Sequence, residues 1–228
     1  APLPTEAPAP TPELVDGLNP AASMEDMAAL VRPEAIAALE AQNDAVQNLR
    51  PVYEAIQAET GIPWEIMAAI HYREGSNDPN SSIFAGEELG EINPDTGEVM
   101  PIDLTKNGIA AANHFIENAK TVYGIDVLDP NLSAADLVRA FVAYNRGAMY
   151  ENQANHPGPD DQLVGPEGLP VTESSYALNG VWGDDRWYAA GHYEGGPGDR
   201  GEPESVQGEV DNNMGAFTMV LYLRGLTG

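Results

Sequence analysis

The residue best placed to do chemistry in this chain is Glu74. It closes the run Gly61-Ile62-Pro63-Trp64-Glu65-Ile66-Met67-Ala68-Ala69-Ile70-His71-Tyr72-Arg73-Glu74-Gly75. Ile66, Ile70 and Glu74 are spaced i, i+4, i+8 and share one stripe of a helix. That stripe faces a core, which puts the carboxyl at the rim of an apolar region. Desolvation there disfavours the charged form and raises the pKa. A glutamic acid kept protonated near neutral pH can give a proton to a leaving oxygen, the general-acid step of glycosidic cleavage. The plainer reading is a helix-end glutamate whose carboxylate reaches solvent. His71 stands three residues before Glu74, and such a pair can share a metal ion, with His114 or His192 completing a two-histidine, one-glutamate zinc site. No His-Glu-x-x-His run is present, and His71 reads better as a core residue.

The elements that position these residues read as helices. Helical signals begin near Ser23, and residues 33–47 form an Ala/Glu/Leu-rich helix. Pro51 opens the next helix, which carries Val52, Tyr53, Ala55 and Ile56 and ends at Gly61. Pro63 suits the first position of the Glu74 helix, where its missing N–H costs nothing. Residues 76–103 are irregular, with strands expected near 88–92 and 98–102 around an Asn-Pro-Asp-Thr-Gly turn. Thr105 caps a helix that Gly124 ends, and Ser133-Ala-Ala-Asp136 starts another running to about Asn145. Residues 151–208 are rich in Gly, Pro and Asp, and a long irregular stretch of this kind is often functional. A buried helix closes the chain over 213–226.

Composition narrows the function classes. The 228 residues suit one domain of moderate size with a tail. Residues 1–22 read as a Pro/Ala-rich linker or disordered N-terminus, and 23–228 as the single folded domain that carries Glu74. Such linkers commonly follow an export signal, so a secreted or extracytoplasmic setting is inferred. There is no cysteine, which excludes disulfides and a thiol nucleophile. No apolar run is long enough to span a membrane. The 36 acidic residues against 10 Lys plus Arg leave a net charge of -26, so nucleic acid and anionic membranes are excluded as partners. Such charge strains the compact state at low ionic strength, and salt relieves it as the Debye length falls from roughly 10 Å at 0.1 M to roughly 3 Å at 1 M. A saline setting is expected.

Two patterns together carry a resemblance. One is Arg73-Glu74-Gly75-Ser76 followed by Asn77-Asp78-Pro79-Asn80-Ser81-Ser82. The other is Ala143-Tyr144-Asn145-Arg146-Gly147. The chain resembles the lysozyme superfamily that includes soluble lytic transglycosylases and goose-type lysozymes. There the catalytic glutamate ends a helix, Asn-Pro and Ser follow, and a later Ala-Tyr-Asn-x-Gly segment lines the sugar groove. Gly75 stands where Ser is commoner. The His71-Tyr72-Arg73-Glu74 form, Phe84-Ala85-Gly86-Glu87-Glu88-Leu89, Ser175-Tyr176-Ala177-Leu178-Asn179 and residues 211–217 are closer still to a lysozyme-like subgroup of phage and bacterial cell-wall enzymes. The resemblance spans about Tyr53 to Gly228.

What it implies is a mainly α, lysozyme-like helical domain with a small β-hairpin or loop region and a long irregular segment. The activity implied is cleavage of the β-1,4 bond between N-acetylmuramic acid and N-acetylglucosamine in peptidoglycan, by a monomer, in the cell envelope or with a phage. Glu74 would protonate the leaving oxygen and later act as base. In a lysozyme a second carboxylate holds water, and Glu87 is the candidate, with Asp78, Asp95 and Asp103 as further options. In a lytic transglycosylase the muramyl 6-hydroxyl attacks and no second carboxylate is needed. Ser82, Tyr144, Asn145, Tyr176 and Asn179 are the expected substrate-binding residues. Tyr offers a flat apolar face and a hydroxyl, and Asn both donates to and accepts from an N-acetyl group. Ser82 is expected on Glu74 or the substrate, and Trp182, Trp187 and Tyr188 on sugar rings or in a satellite core. No metal or organic cofactor is implied. The alternatives are a non-catalytic glycan- or protein-binding module and, less favoured, the zinc peptidase. A neutral, chitin-like polymer is the other substrate that so acidic a protein would meet without repulsion.

Overall fold

The computed structural model describes residues 22–84, 86, 88–90, 99, 102–150, 175–178 and 213–227, the side chains of 146–150, 175 and 178 excepted. The described chain is mainly helical: α1 (Met24–Ala28), α2 (Pro33–Glu40), α3 (Asn43–Thr60), α4 (Trp64–Gly75), α5 (Leu104–Tyr123), α6 (Ala134–Tyr150), α7 (Ser175–Leu178) and α8 (Ala216–Leu223). The calls on Glu87, Asp95, Asn179, Trp182, Trp187, Tyr188, His192 and the 1–22 linker up to residue 21 lie outside the described residues.

Helix α4 is the axis of the core. Ile66, Met67, Ala68, Ala69, Ile70, His71 and Tyr72 are all buried, so most of its circumference is covered. A helix apolar on every side has to be enclosed, and α3 and α8 pack along this one. α8 is the second buried helix, with Ala216 through Leu221 inside. Burying a side chain the size of Phe217 or Leu221 stabilises by about 1.5–3 kcal/mol. α5 packs on α3 and on α6, and the short α7 bridges α6 and α8.

Several sequence expectations are corrected. Residues 33–47 are not one helix: the chain turns at Ala41–Gln42 and restarts as α3. Pro51 does not open a helix but lies inside α3. Val46, Leu49, Tyr53 and Ile56 form one continuous buried stripe, while Pro51 itself is exposed. Packing of that stripe outweighs the roughly 3 kcal/mol that an interior proline costs. Pro63 is the N-cap of α4 rather than its first helical residue. Asp103, not Thr105, caps α5, because its side chain accepts from the Thr105 and Lys106 N–H groups. α6 continues to Tyr150, beyond Asn145. The expected hairpin falls mostly outside the described residues, and what is described there is one isolated antiparallel bridge between Ser81 and Glu88.

Other expectations hold. Gly124 ends α5 in the left-handed conformation. Ser133 and Asp136 cap α6, with the Asp136 N–H donating to Ser133 Oγ at 3.0 Å.

Candidate active site

Glu74 is the penultimate residue of α4 and is half-buried, one helical turn beyond the fully buried Ile70. The Tyr176 hydroxyl donates to Glu74 Oε1 at 2.7 Å. Burial pushes the Tyr176 phenol well above its usual value, and the neighbouring Glu74 and Tyr144 add to this against the opposing charge of Arg73. Tyr176 is therefore a neutral donor at any physiological pH. It can donate to this oxygen whether Glu74 is ionised or protonated, so it orients the carboxyl in both states.

Tyr176 is itself held from two sides. The Arg73 guanidinium lies 4.9 Å from its ring centroid, and the Tyr144 ring lies 6.3 Å away. Arg73 also donates to the carbonyls of Asn213 and Met214, at 3.0 and 3.3 Å. The Met214 N–H donates to the Tyr72 hydroxyl at 3.1 Å. The last turn of α4 thus gathers α7 and the lead-in to α8 around Glu74, from positions far apart in the chain.

The loop after α4 forms the opposite side. Ser76 and Asn77 both adopt the left-handed conformation, with φ of 52° and 54°, and turn the chain back along the helix. Gly86 has φ 78°, and a Cβ placed on it would stand 2.3 Å from the Glu74 carbonyl oxygen. Only glycine satisfies both conditions. A Cβ on Gly75 would lie 2.7 Å from Ser81 Cβ. That close approach accounts for glycine where the resembled family more often has serine.

The expected substrate-binding residues divide. Asn145 is exposed. Tyr144 is buried, and its hydroxyl donates to the Phe84 carbonyl at 2.8 Å, which ties the loop to α6. Ser82 is completely buried. Its hydroxyl accepts from the Phe84 N–H at 3.0 Å and from Asn107 Nδ2 at 3.0 Å, so it lies inside the loop rather than on a cleft wall. Asn107 also accepts from the Ile83 N–H at 2.7 Å. Of the further acids, the two that are described are committed elsewhere: Asp103 caps α5, and Asp78 accepts from the Asn80 N–H at 2.8 Å.

His71 does not face Glu74 as a co-ligand. Its Nδ1 is 2.8 Å from the Tyr53 hydroxyl and its Nε2 is 3.2 Å from the Ser81 carbonyl. Burial pushes the imidazole down to about 4, against the opposing pull of the Ser81 and Asp78 groups. His114 is engaged with Asn118 at 2.8 Å and tilts against Phe84. Both ring nitrogens of His71 are thus used within the core, and no cluster of three metal-binding side chains occurs among the described residues.

Sequence reasoning missed Tyr53 and Asn107 as parts of this site, and it gave Asn77 and Gly86, which lie within the quoted patterns, no role of their own. Asn107 left a legible trace: it precedes Ala111 and Phe115 on the buried stripe of α5, an amide where an apolar residue is expected. Two cavities of about 170 and 380 Å³ flank the 124–137 turn, and neither is lined by Glu74 or Tyr176. The paired carboxyl and phenol at the end of α4 lie apart from both hollows. Comparison with family models, with curated proteins and with solved structures finds no match to this chain.

Proposed function

We propose that the chain is a peptidoglycan-cleaving glycosidase of lysozyme-like fold with Glu74 as its general acid and base. One observation carries the reading: the half-buried carboxyl at the end of a core helix, oriented by the Tyr176 hydroxyl at 2.7 Å. A carboxyl so held can deliver a proton to the leaving glycosidic oxygen and take one back in the second step. Tyr176 keeps the acid pointed at the bond through both steps. The exposed Asn145 is suited to the N-acetyl group of the sugar. Either water or the muramyl 6-hydroxyl completes the reaction, with Glu87 as the candidate water-holding acid in the first case.

The same proposal includes a saline, extracytoplasmic or phage-associated setting and a monomer. The net charge of -26 supports the first of these, because an anionic cell wall repels the protein least when salt screens the repulsion.

The test is release of dye from labelled peptidoglycan in about 0.5 M NaCl, a salt level that shortens the Debye length. Wild type should release dye, and Glu74→Gln should do so more slowly by a factor on the order of 10²–10⁴. Equal release by both proteins refutes the assignment of Glu74. Binding without release by wild type favours the non-catalytic module.

A further inference from the structure

We propose that Tyr53, His71 and Asn77 are positioning residues for Glu74, forming a one-way chain of buried hydrogen bonds that pins the loop at Ser81 against the end of α4. The inference rests on the reading of Glu74 as the acid.

The direction of the chain follows from its ends. The Ser81 carbonyl can only accept, so His71 Nε2 carries the proton and donates to it. His71 Nδ1 then accepts, and the donor is the Tyr53 hydroxyl. The Tyr53 oxygen in turn accepts from Asn77 Nδ2 at 3.0 Å. The second Asn77 Nδ2 proton goes to the Ala68 carbonyl at 2.9 Å, inside α4. Tyr53 and His71 are wholly buried and Asn77 nearly so. Polar side chains kept in a core are costly where a group is left unpaired; every donor of this trio finds an acceptor, and Asn77 Oδ1 is its one buried polar atom without a partner.

The far end of the chain explains its consequence. Ser81 begins the loop that returns to Glu74. That loop touches the end of α4 at Gly75, beside Ser81, and at the Glu74 carbonyl, beneath Gly86. The His71 bond to Ser81 is the polar pin between those two contacts. Asn77 belongs to the left-handed turn that directly follows Glu74. The network therefore holds both the turn after the acid and the loop that lies on it, while touching no substrate.

The experiment compares His71→Gln, His71→Asn and Tyr53→Phe in the full chain. The amide of Gln reaches the place of Nε2 and keeps the Ser81 bond. The amide of Asn reaches only the place of Nδ1 and loses it. His71→Gln should keep kcat within about threefold, whereas His71→Asn should lose roughly tenfold to a hundredfold in kcat with KM unchanged, as small misplacements of a catalytic group do. Tyr53→Phe should retain the loop contact and alter the His71 Nδ1 nitrogen resonance. Amide exchange at Ile83, Phe84 and Gly86 gives a readout that needs no substrate. It should quicken in His71→Asn and not in His71→Gln. Equal kcat loss in the two variants at matched thermal stability, or equal exchange protection, overturns the proposal. If wild type does not cleave peptidoglycan but the exchange difference appears, the loop-pinning chain stands and the reading of Glu74 as the acid of a peptidoglycan glycosidase fails.

Discussion

Acid should destabilise this protein through one buried imidazole. His71 is fully buried and neutral, with an ordinary value of 6.5 lowered to about 4 in the fold. Between those values the unfolded chain binds a proton that the folded chain refuses, so stability rises with pH across that window. Above 6.5 the contribution is complete. It is lost progressively as pH falls towards 4, and below 4 both states are protonated and the slope vanishes. At about 1.4 kcal/mol per pH unit, the interval corresponds to roughly 3 kcal/mol, a large share of a typical domain's stability. Protonation also turns Nδ1 into a donor facing Tyr53, which then loses the acceptor for its own proton. The assay is urea denaturation of wild type and His71→Gln at pH 7, 6, 5 and 4. Carboxylate titrations are common to both proteins, so the difference between the two curves isolates His71. Wild type should lose roughly 3 kcal/mol more than His71→Gln between pH 7 and 4. Parallel curves over that range refute the reasoning.

Other outcomes follow from the same geometry. Tyr176→Phe keeps the ring beneath Arg73 but removes the donor that orients the Glu74 carboxyl in both of its protonation states. Steady-state kinetics should show kcat lower by about tenfold to a hundredfold with the fold intact by circular dichroism. Gly86→Ala meets both a φ of 78° and the Glu74 carbonyl, so thermal unfolding should show a loss of more than about 1 kcal/mol together with reduced activity. Raising NaCl from low salt to about 0.5 M should increase both the melting temperature and the activity, and a flat response contradicts the saline setting.

α6 was legible because its periodicity is strong, with Leu137, Phe141 and Tyr144 buried where their spacing puts them, whereas α8 was legible as a continuous apolar run, Phe217 through Leu221 all being buried. The position of Glu74 at the end of a core helix was legible from the apolar run between Pro63 and Gly75. Boundaries were less so. Pro51 is a helix-opening signal by local chemistry, yet the stripe through Val46, Leu49, Tyr53 and Ile56 carries α3 past it. The partners of Glu74 could not be read from spacing, since Tyr176 is distant in sequence and meets the carboxyl only through the packing of α7 on α6 and α8. Ser82 shows the limit of motif reasoning. Its place in the pattern suggests a sugar contact, but Asn107, a residue no motif singled out, holds its hydroxyl inside the loop. Tyr53, His71 and Asn77 were invisible as a unit because Tyr53 meets His71 only through the packing of α3 on α4, and Asn77 reaches Tyr53 only through two consecutive left-handed residues.

The most direct test of the account is mass spectrometry of the soluble products from purified peptidoglycan, with wild type beside Glu74→Gln at low and high NaCl. Muropeptides from wild type alone are the expected result: reducing ends identify a lysozyme and make Glu87 the next residue to change, whereas 1,6-anhydro ends identify a lytic transglycosylase. Absence of any glycan product at either salt level, or the same products from Glu74→Gln, contradicts the account.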